Sequence, residues 1–305
     1  MAVLVVGSIA LDTVKTPVEE HTDQLGGSAS YAAVGASFFS PVQLVGVVGD
    51  DFPESEIEFW KSRGIDPRGV QRIPGKTFRW SGEYAWDLNT RETRSVALNV
   101  FENFRPELPD DFREAEFVLL ANIAPALQSC VLDQVRRPRF VIADTMDLWI
   151  ETTRRDLEAL LTRIDLLILN DSEARQITGD TSLIRAGRAI RRMGPGYVAV
   201  KKGEHGALLF GPDDFFSCGA YPLEDIHDPT GAGDTFAGGL AGYLAGHGGS
   251  EVDFALLRRA VIYGSVLASF NVEAFSLDRL RRLTSEEIDE RYQMFRLMSQ
   301  FEVLP

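Results

Sequence analysis

From residue 117 to residue 169 the chain reads Phe117-Val-Leu-Leu-Ala121, then Phe140-Val-Ile-Ala143, then Leu166-Leu-Ile-Leu169. Each run is apolar and of strand length. Residues 126–135 and 154–163, between the runs, are long enough for helices, so the alternation predicts βαβ units and a parallel sheet. The pattern continues outward on both sides. Val3–Val6 and Val42–Val48 precede it, and residues 182–192 and 197–200 repeat helix and strand beyond it. Strands that are apolar throughout are buried on both faces. The expected fold class is α/β: a three-layer, doubly wound, mostly parallel sheet in a single domain over residues 1–305.

Residues 77–87 break the pattern. Phe78, Trp80, Gly82, Tyr84 and Trp86 alternate with Thr77, Arg79, Ser81, Glu83 and Asp87. Period two marks a strand with one buried face. Asp87-Leu-Asn-Thr90 supplies a turn and residues 93–101 return, giving a hairpin foreign to a parallel sheet. We expect a small β-sheet lid built from residues 12–18 and 77–101, its aromatic face turned to a ligand or to a second copy in a homodimer. Residues 232–245, 253–269 and 285–298 then read as helices.

Composition removes several function classes. Lysine plus arginine number 31 against 45 acidic residues, a net charge of −14, which argues against nucleic acid or anionic lipid as partner. Cys130 and Cys218 stand far apart and fit neither a disulfide framework nor a metal site. The N-terminal apolar run is too short for a signal sequence, and the longest one, near residues 117–127, is too short to span a membrane. A cytoplasmic location is expected.

The chemistry concentrates in Asp228-Pro-Thr-Gly-Ala-Gly-Asp-Thr-Phe-Ala-Gly-Gly239. Pro229 ends what precedes it, the glycines allow close backbone approach, and a helix can begin there. Bare amides of Gly231, Ala232 and Gly233 at a helix N-terminus form an anion hole that stabilises a phosphoryl group in transit. Asp234 beside them accepts the proton of an attacking hydroxyl, or else caps the helix. Two nearby patterns fail. Gly75-Lys-Thr77 lacks the P-loop spacing and precedes a strand, and Gly231-Ala-Gly233 lacks the last glycine of the dinucleotide fingerprint. His227, between Asp225 and Asp228, reads as part of a solvated turn.

The segment from Asp228 to Gly239 resembles the C-terminal signature of the ribokinase-like, PfkB-type carbohydrate kinases. Gly7-Ser-Ile-Ala-Leu-Asp12 resembles that family's first strand with its substrate-binding aspartate, and Gly26-Gly27-Ser28 its glycine pair. Asn170-Asp-Ser-Glu173 resembles its N-x-x-E motif, and Lys201-Lys-Gly-Glu-His-Gly206 falls at its ATP strand turn. The resemblance implies a kinase with ATP as donor, Mg²⁺ as helper and a hydroxymethyl group of a sugar or nucleoside as acceptor. It implies Asp12, Gly27, Ser28 and Tyr31 at the acceptor, Asn170, Lys201, Gly203 and Gly206 at ATP, and Glu173 at Mg²⁺ through water. Asp228 and the Thr230 carbonyl fall where relatives can hold a monovalent cation such as K⁺. Ala10, Ser28 and Tyr31 replace polar residues of the ribokinase branch, so the acceptor need not be ribose. Trp80, Tyr84, Trp86 and Trp149 offer faces on which a sugar ring or nucleobase can stack.

Overall fold

The computed structural model of the chain describes residues 1–247, 249 and 251–302. Its strands are β1 (Val3–Val6), β2 (Ala10–Lys15), β3 (Glu20–Gly26), β4 (Val42–Val48), β5 (Ile65–Arg72), β6 (Phe78–Tyr84), β7 (Arg91–Ala97), β8 (Phe117–Leu120), β9 (Phe140–Asp144), β10 (Leu166–Asn170), β11 (Tyr197–Lys201), β12 (Ala207–Phe210) and β13 (Phe215–Cys218). Its helices are α1 (Ser28–Ser37), α2 (Glu54–Ser62), α3 (Pro125–Leu132), α4 (Asp147–Thr152), α5 (Arg154–Leu161), α6 (Asp171–Thr178), α7 (Leu183–Arg191), α8 (Ala232–His247), α9 (Phe254–Asn271), α10 (Asp278–Arg282) and α11 (Ser285–Met298). Among the described residues, no helix is long and apolar enough to cross a membrane.

Nine strands form the main sheet in the order β13-β12-β11-β10-β9-β8-β1-β4-β5, parallel from β5 to β11 and antiparallel at β12 and β13. Along β1, Val3 and Val5 join one apolar cluster and Leu4 and Val6 the other, so both faces are covered. That is why the strands are apolar without alternation. The chain winds from β1 to β4 and β5 on one side and resumes at β8 on the other. The crevice at such a reversal, beyond the carboxyl ends of the strands, is where open α/β sheets bind ligands.

Helix α8 is buried from Thr235 to Ala245. Its seam against α1 is made of small residues: a Cβ on Gly35 would stand 2.8 Å from the Thr235 carbonyl, and one on Gly238 would overlap the Ala32 backbone. The two helices touch backbone to backbone, which fixes the head of α8 relative to the sheet.

The small sheet has the order β3-β2-β6-β7, with β2 and β6 parallel and the outer pairs antiparallel. Strand β3, Glu20–Gly26, carries no apolar alternation and was not expected. The predicted aromatic face is shorter than its sequence. A bulge at Ser81/Gly82 shifts the register, the strand ends at Tyr84, and Trp86 lies in the following turn, 87% exposed. Trp80 folds its indole across Gly82, where a Cβ would overlap it. The return strand is Arg91–Ala97, and residues 99–103 form a 3₁₀ turn whose Phe101 stacks on Phe78.

Candidate active site

The carboxyl ends of β9, β10 and β11 bring Asp144, Asn170 and Lys201 to one edge of the sheet. Lys201 Nζ donates to Asp144 Oδ2 at 3.0 Å, and a Cβ on Gly233 would stand 3.0 Å from the same nitrogen. The ammonium therefore lies directly over the head of α8. Burial pulls the Lys201 pKa down, but Asp144, Glu173 and Asp234 outweigh it and the net shift is upward, so the group stays charged.

The turn into α8 uses Gly231 at φ +75°, the left-handed region that favours glycine; a Cβ there would also run into the ring of Tyr31. The amide of Ala232 donates to Pro229 O at 3.2 Å and that of Thr235 to Gly231 O at 2.8 Å. Of the three expected anion-hole amides, that of Ala232 is thus turned into the backbone. Among the described residues, the amides of Gly231, Gly233 and Asp234 have no protein acceptor. Helix geometry leaves such donors at an N-terminus, where they suit an anion.

Asp234 occupies the third position of α8, inside the helix, so it is not the cap. Burial lifts its pKa to about 7, Asp144 adds to the rise, and Lys201 and Arg91 oppose it. Asp12 is likewise raised to about 7, first by burial, with the Gly27 amide drawing it down and Asp228 and Asp234 pushing it up. Asp12 Oδ1 is buried without a partner. Such a group requires a hydrogen bond from something the protein itself does not supply.

The other expected residues fall into two sets. Asn170 and Glu173 form a reciprocal capping box on α6: the Asn170 side chain accepts from the Glu173 amide at 2.8 Å, and Glu173 accepts from the Asn170 amide at 2.7 Å. Glu173 is thus an acidic first-turn partner of the α6 cap, and burial pushes its pKa up to about 7, with Lys201 opposing and Asp144 reinforcing the rise. Gly203 sits exposed in the turn after β11, whereas Gly206 is buried against the Cys218 and Gly219 backbone. Ser28 caps nothing external: its hydroxyl meets that of Ser8 at 3.1 Å and donates to Asn122 O at 3.1 Å. Tyr31 is 2% exposed and fills the space beneath Gly231.

Asp228 Oδ1 accepts from the Thr230 amide at 2.9 Å and Oδ2 from the Ser276 amide at 3.3 Å, while the Thr230 carbonyl accepts from Asn271 Nδ2 at 2.8 Å. These bonds brace the turn from α9 and the loop after it. Other donors present suit Mg²⁺. Asp144 and Glu173 are hard oxygen donors, and no group of three such ligands exists among the described residues. Mg²⁺ is usually held by one or two carboxylates, waters and substrate phosphates rather than by a protein cage. His227 is exposed, as expected of a solvated turn.

Several contacts of the site were not foreseen. Asp144 ends a strand and its sequence neighbours carry no motif. Asn271, fully buried, also accepts from the Thr235 hydroxyl at 3.0 Å, tying the foot of α9 to the turn. Tyr84 on β6 bonds Thr230 Oγ1 through its hydroxyl at 3.2 Å, which seats the small sheet on the turn. Trp149 does not stand free, since its Nε1 donates to Asn122 Oδ1 at 2.8 Å.

Residues 2–279 match the family described as pfkB family carbohydrate kinase. The chain is 32% identical over 252 residues to a cytidine kinase of Thermococcus kodakarensis, covering 80% of this chain and 88% of that one. A nucleoside kinase of Methanothermobacter thermautotrophicus is 29% identical over 257 residues, 81% of this chain and 78% of that one. The aminoimidazole riboside kinase of Salmonella enterica, solved with aminoimidazole riboside and an ATP analogue, superposes with a TM-score of 0.76 at 19% identity, covering 96% of this chain and 100% of that one.

Proposed function

The chain belongs to the pfkB family of carbohydrate kinases and is a sugar or nucleoside kinase; from that premise we propose that it phosphorylates the hydroxymethyl group of a nucleoside, with Asp234 as general base. The oxygen of the acceptor hydroxyl attacks the γ-phosphorus of ATP and its proton passes to Asp234. The bond from that phosphorus to the β–γ bridging oxygen breaks, and the electron pair leaves on ADP. One observation carries the reading: an unpartnered carboxylate stands in the first turn of α8 beside free amides, under the Lys201 ammonium.

Each residue then has a task. The Gly233 and Asp234 amides and Lys201 take up charge on the phosphoryl group without having to reorganise. Asp12, buried with one oxygen unsatisfied, accepts hydrogen bonds from acceptor hydroxyls and so fixes the reacting oxygen. The Gly27 amide favours the ionised form of Asp12. Mg²⁺, when bound with ATP, would be held near Asp144 and Glu173 and would offset triphosphate charge. The exposed turn at Gly203 suits the nucleotide. The nucleoside is favoured over a free sugar by the likeness to the cytidine kinase and by the half-buried indole of Trp80 on the sheet that meets the turn. The small sheet acts as a lid, and β7, exposed along its whole length, offers an edge for a second copy.

The test is ADP release with ATP and Mg²⁺ against cytidine, other nucleosides, ribose and other sugars. Turnover is expected with a nucleoside, and in Asp234→Asn a loss of on the order of 10²- to 10⁴-fold in a normally folded protein. Turnover with free sugars alone would overturn the acceptor, and an unimpaired Asp234→Asn the base.

A further inference from the structure

The strands of the small sheet carry Lys15, His21, Arg79, Arg91 and Arg94. Lys15 pairs with Glu83 at 3.2 Å, His21 with Glu19 at 2.9 Å, Arg79 with Asp23 at 2.9 Å and Asp51 at 2.7 Å, and Arg94 with Glu83 at 2.9 Å. Among the described residues Arg91 alone of the five has no carboxylate within ion-pair distance. An unpaired arginine in a chain of net charge −14 stands out, because acidic neighbours are so easily found.

Its place is set by register. Arg91 is the cross-strand partner of Tyr84, so the two side chains share one face of the sheet. Tyr84 on that face reaches Thr230, one residue before the anion turn. The guanidinium carbon of Arg91 lies 5.1 Å from the centre of the Trp80 ring, held by a cation–π contact rather than by an anion. The charge acts across the cleft on Asp12, Tyr84 and Asp234. Thus one face of the small sheet carries a cation with no ion-pair partner, stacked on Trp80 beside Tyr84, whose charge is felt by the carboxylates of Asp12 and Asp234.

We propose that Arg91 is a further catalytic residue: its guanidinium, carried on the small sheet, meets the phosphoryl group in transit and stabilises the charge spread over its oxygens. The proposal rests on the phosphoryl-transfer reading above. The bonds made and broken are those already given, and Arg91 donates hydrogen bonds without gaining or losing a proton. Arginine suits the task because its planar fork matches two phosphoryl oxygens at once and it remains charged at any working pH. Lys201 holds the phosphate from the sheet side, Arg91 from the lid side, and the acceptor enters between Asp12 and Asp234.

Arg91→Gln and Arg91→Lys test this, with two readouts. The first needs no acceptor: calorimetric binding of ADP and of the non-hydrolysable analogue AMP-PNP, each with Mg²⁺. Arg91→Gln should weaken AMP-PNP by roughly tenfold or more while leaving ADP unchanged, as loss of one charged hydrogen-bonding partner implies. The second is turnover with the acceptor found in the panel, where Arg91→Gln should lower kcat by about 10²- to 10³-fold, as removal of one charge-stabilising donor does. Arg91→Lys should recover part of it. Of the charged groups facing Asp234, Arg91 and Lys201 lower its pKa and Asp144 raises it, so the acid limb of the Arg91→Gln profile should move to higher pH. Equal losses for ADP and AMP-PNP, or unchanged binding of both, would overturn the proposal. So would a rise confined to KM for the acceptor found in the panel, which would make Arg91 an acceptor contact. A wild type that binds AMP-PNP through Arg91 yet transfers to no acceptor would instead refute the function reading alone.

Discussion

The nine-stranded sheet and the four-stranded sheet differ in what covers them. β1 and β8 are buried at every residue, whereas every residue of β7 is exposed and β3 is buried only at its end. A strand covered on both faces is held in place, and the carboxyl ends of the likewise buried β9 and β11 fix Asp144 and Lys201. A sheet covered on one side can lift. On the function proposed above, the rigid sheet would carry the groups that hold the phosphates and the more exposed sheet those that close on them.

The sharpest break of this contrast lies at the α1–α8 seam. Gly238→Ala places a Cβ over the Ala32 backbone, which has no side-chain freedom to yield. Overpacking of that kind costs about 1–3 kcal/mol and moves backbone, so the head of α8 should shift and turnover fall along with stability. Trp86→Ser, at the 87% exposed turn of the small sheet, should change stability by less than about 0.5 kcal/mol. Urea melts of the two variants check this; equal costs would mean the two sheets are equally constrained.

A smaller effect separates the root of the small sheet from its edge. Asp12 belongs to β2 but is buried, with its carboxyl raised to about 7. The unfolded chain releases that proton near pH ~4. Between these values the folded state binds more protons, so its stability is full at the acid end and is lost as pH rises towards about 7. Asp234 and Glu173, also raised to about 7, add in the same direction. In the ligand-free protein Asp12→Asn should then raise the melting temperature at pH 8, and progressively less as the pH falls towards about 4. A lower melting temperature at pH 8 would mean that the ionised carboxylate is stabilised in place and is no strained anchor.

The same difference in covering decides how much of the molecule was legible beforehand. Burial on both faces leaves unbroken runs such as Leu166-Leu-Ile-Leu169, and the main sheet followed from them. The turn at Gly231 was legible because its φ of +75° and its closeness to Tyr31 demand glycine. The small sheet was only half legible. β3 has too few buried positions to leave a periodic trace, and the Ser81/Gly82 bulge broke the alternation that placed Trp86 on the aromatic face. The contacts of Asp144, Asn271 and Tyr84 were missed for another reason: each residue meets its partner across a long stretch of chain, Tyr84 and Thr230 being 146 residues apart. Contacts of that kind leave no local pattern. For Ser28 the motif position pointed to the acceptor, while the structure gives its hydroxyl Ser8 and Asn122 as partners, again contacts that leave no local pattern.

The mobility of the small sheet gives the smallest effect, because it changes populations and no bond. Ser276 Oγ donating to Leu25 O at 2.6 Å, His21 stacked on Phe275 and Arg79 paired with Asp51 hold the root of this sheet, whereas the far end of its β6–β7 hairpin is tied to the site by Tyr84–Thr230 and by the 3.4 Å contact of Asn89 Nδ2 with Glu204, single hydrogen bonds worth about 1 kcal/mol each. So weak a tether should open readily without ligand and be reinforced when AMP-PNP and an acceptor add contacts. Amide exchange over residues 78–97 should therefore slow by roughly tenfold on adding AMP-PNP, Mg²⁺ and cytidine, the change that about 1.4 kcal/mol of added contact brings, while β8 to β10 stay as they were. Protection of 78–97 that is high already and indifferent to ligand, but falls on dilution of the protein, would assign the sheet to a standing contact between two copies.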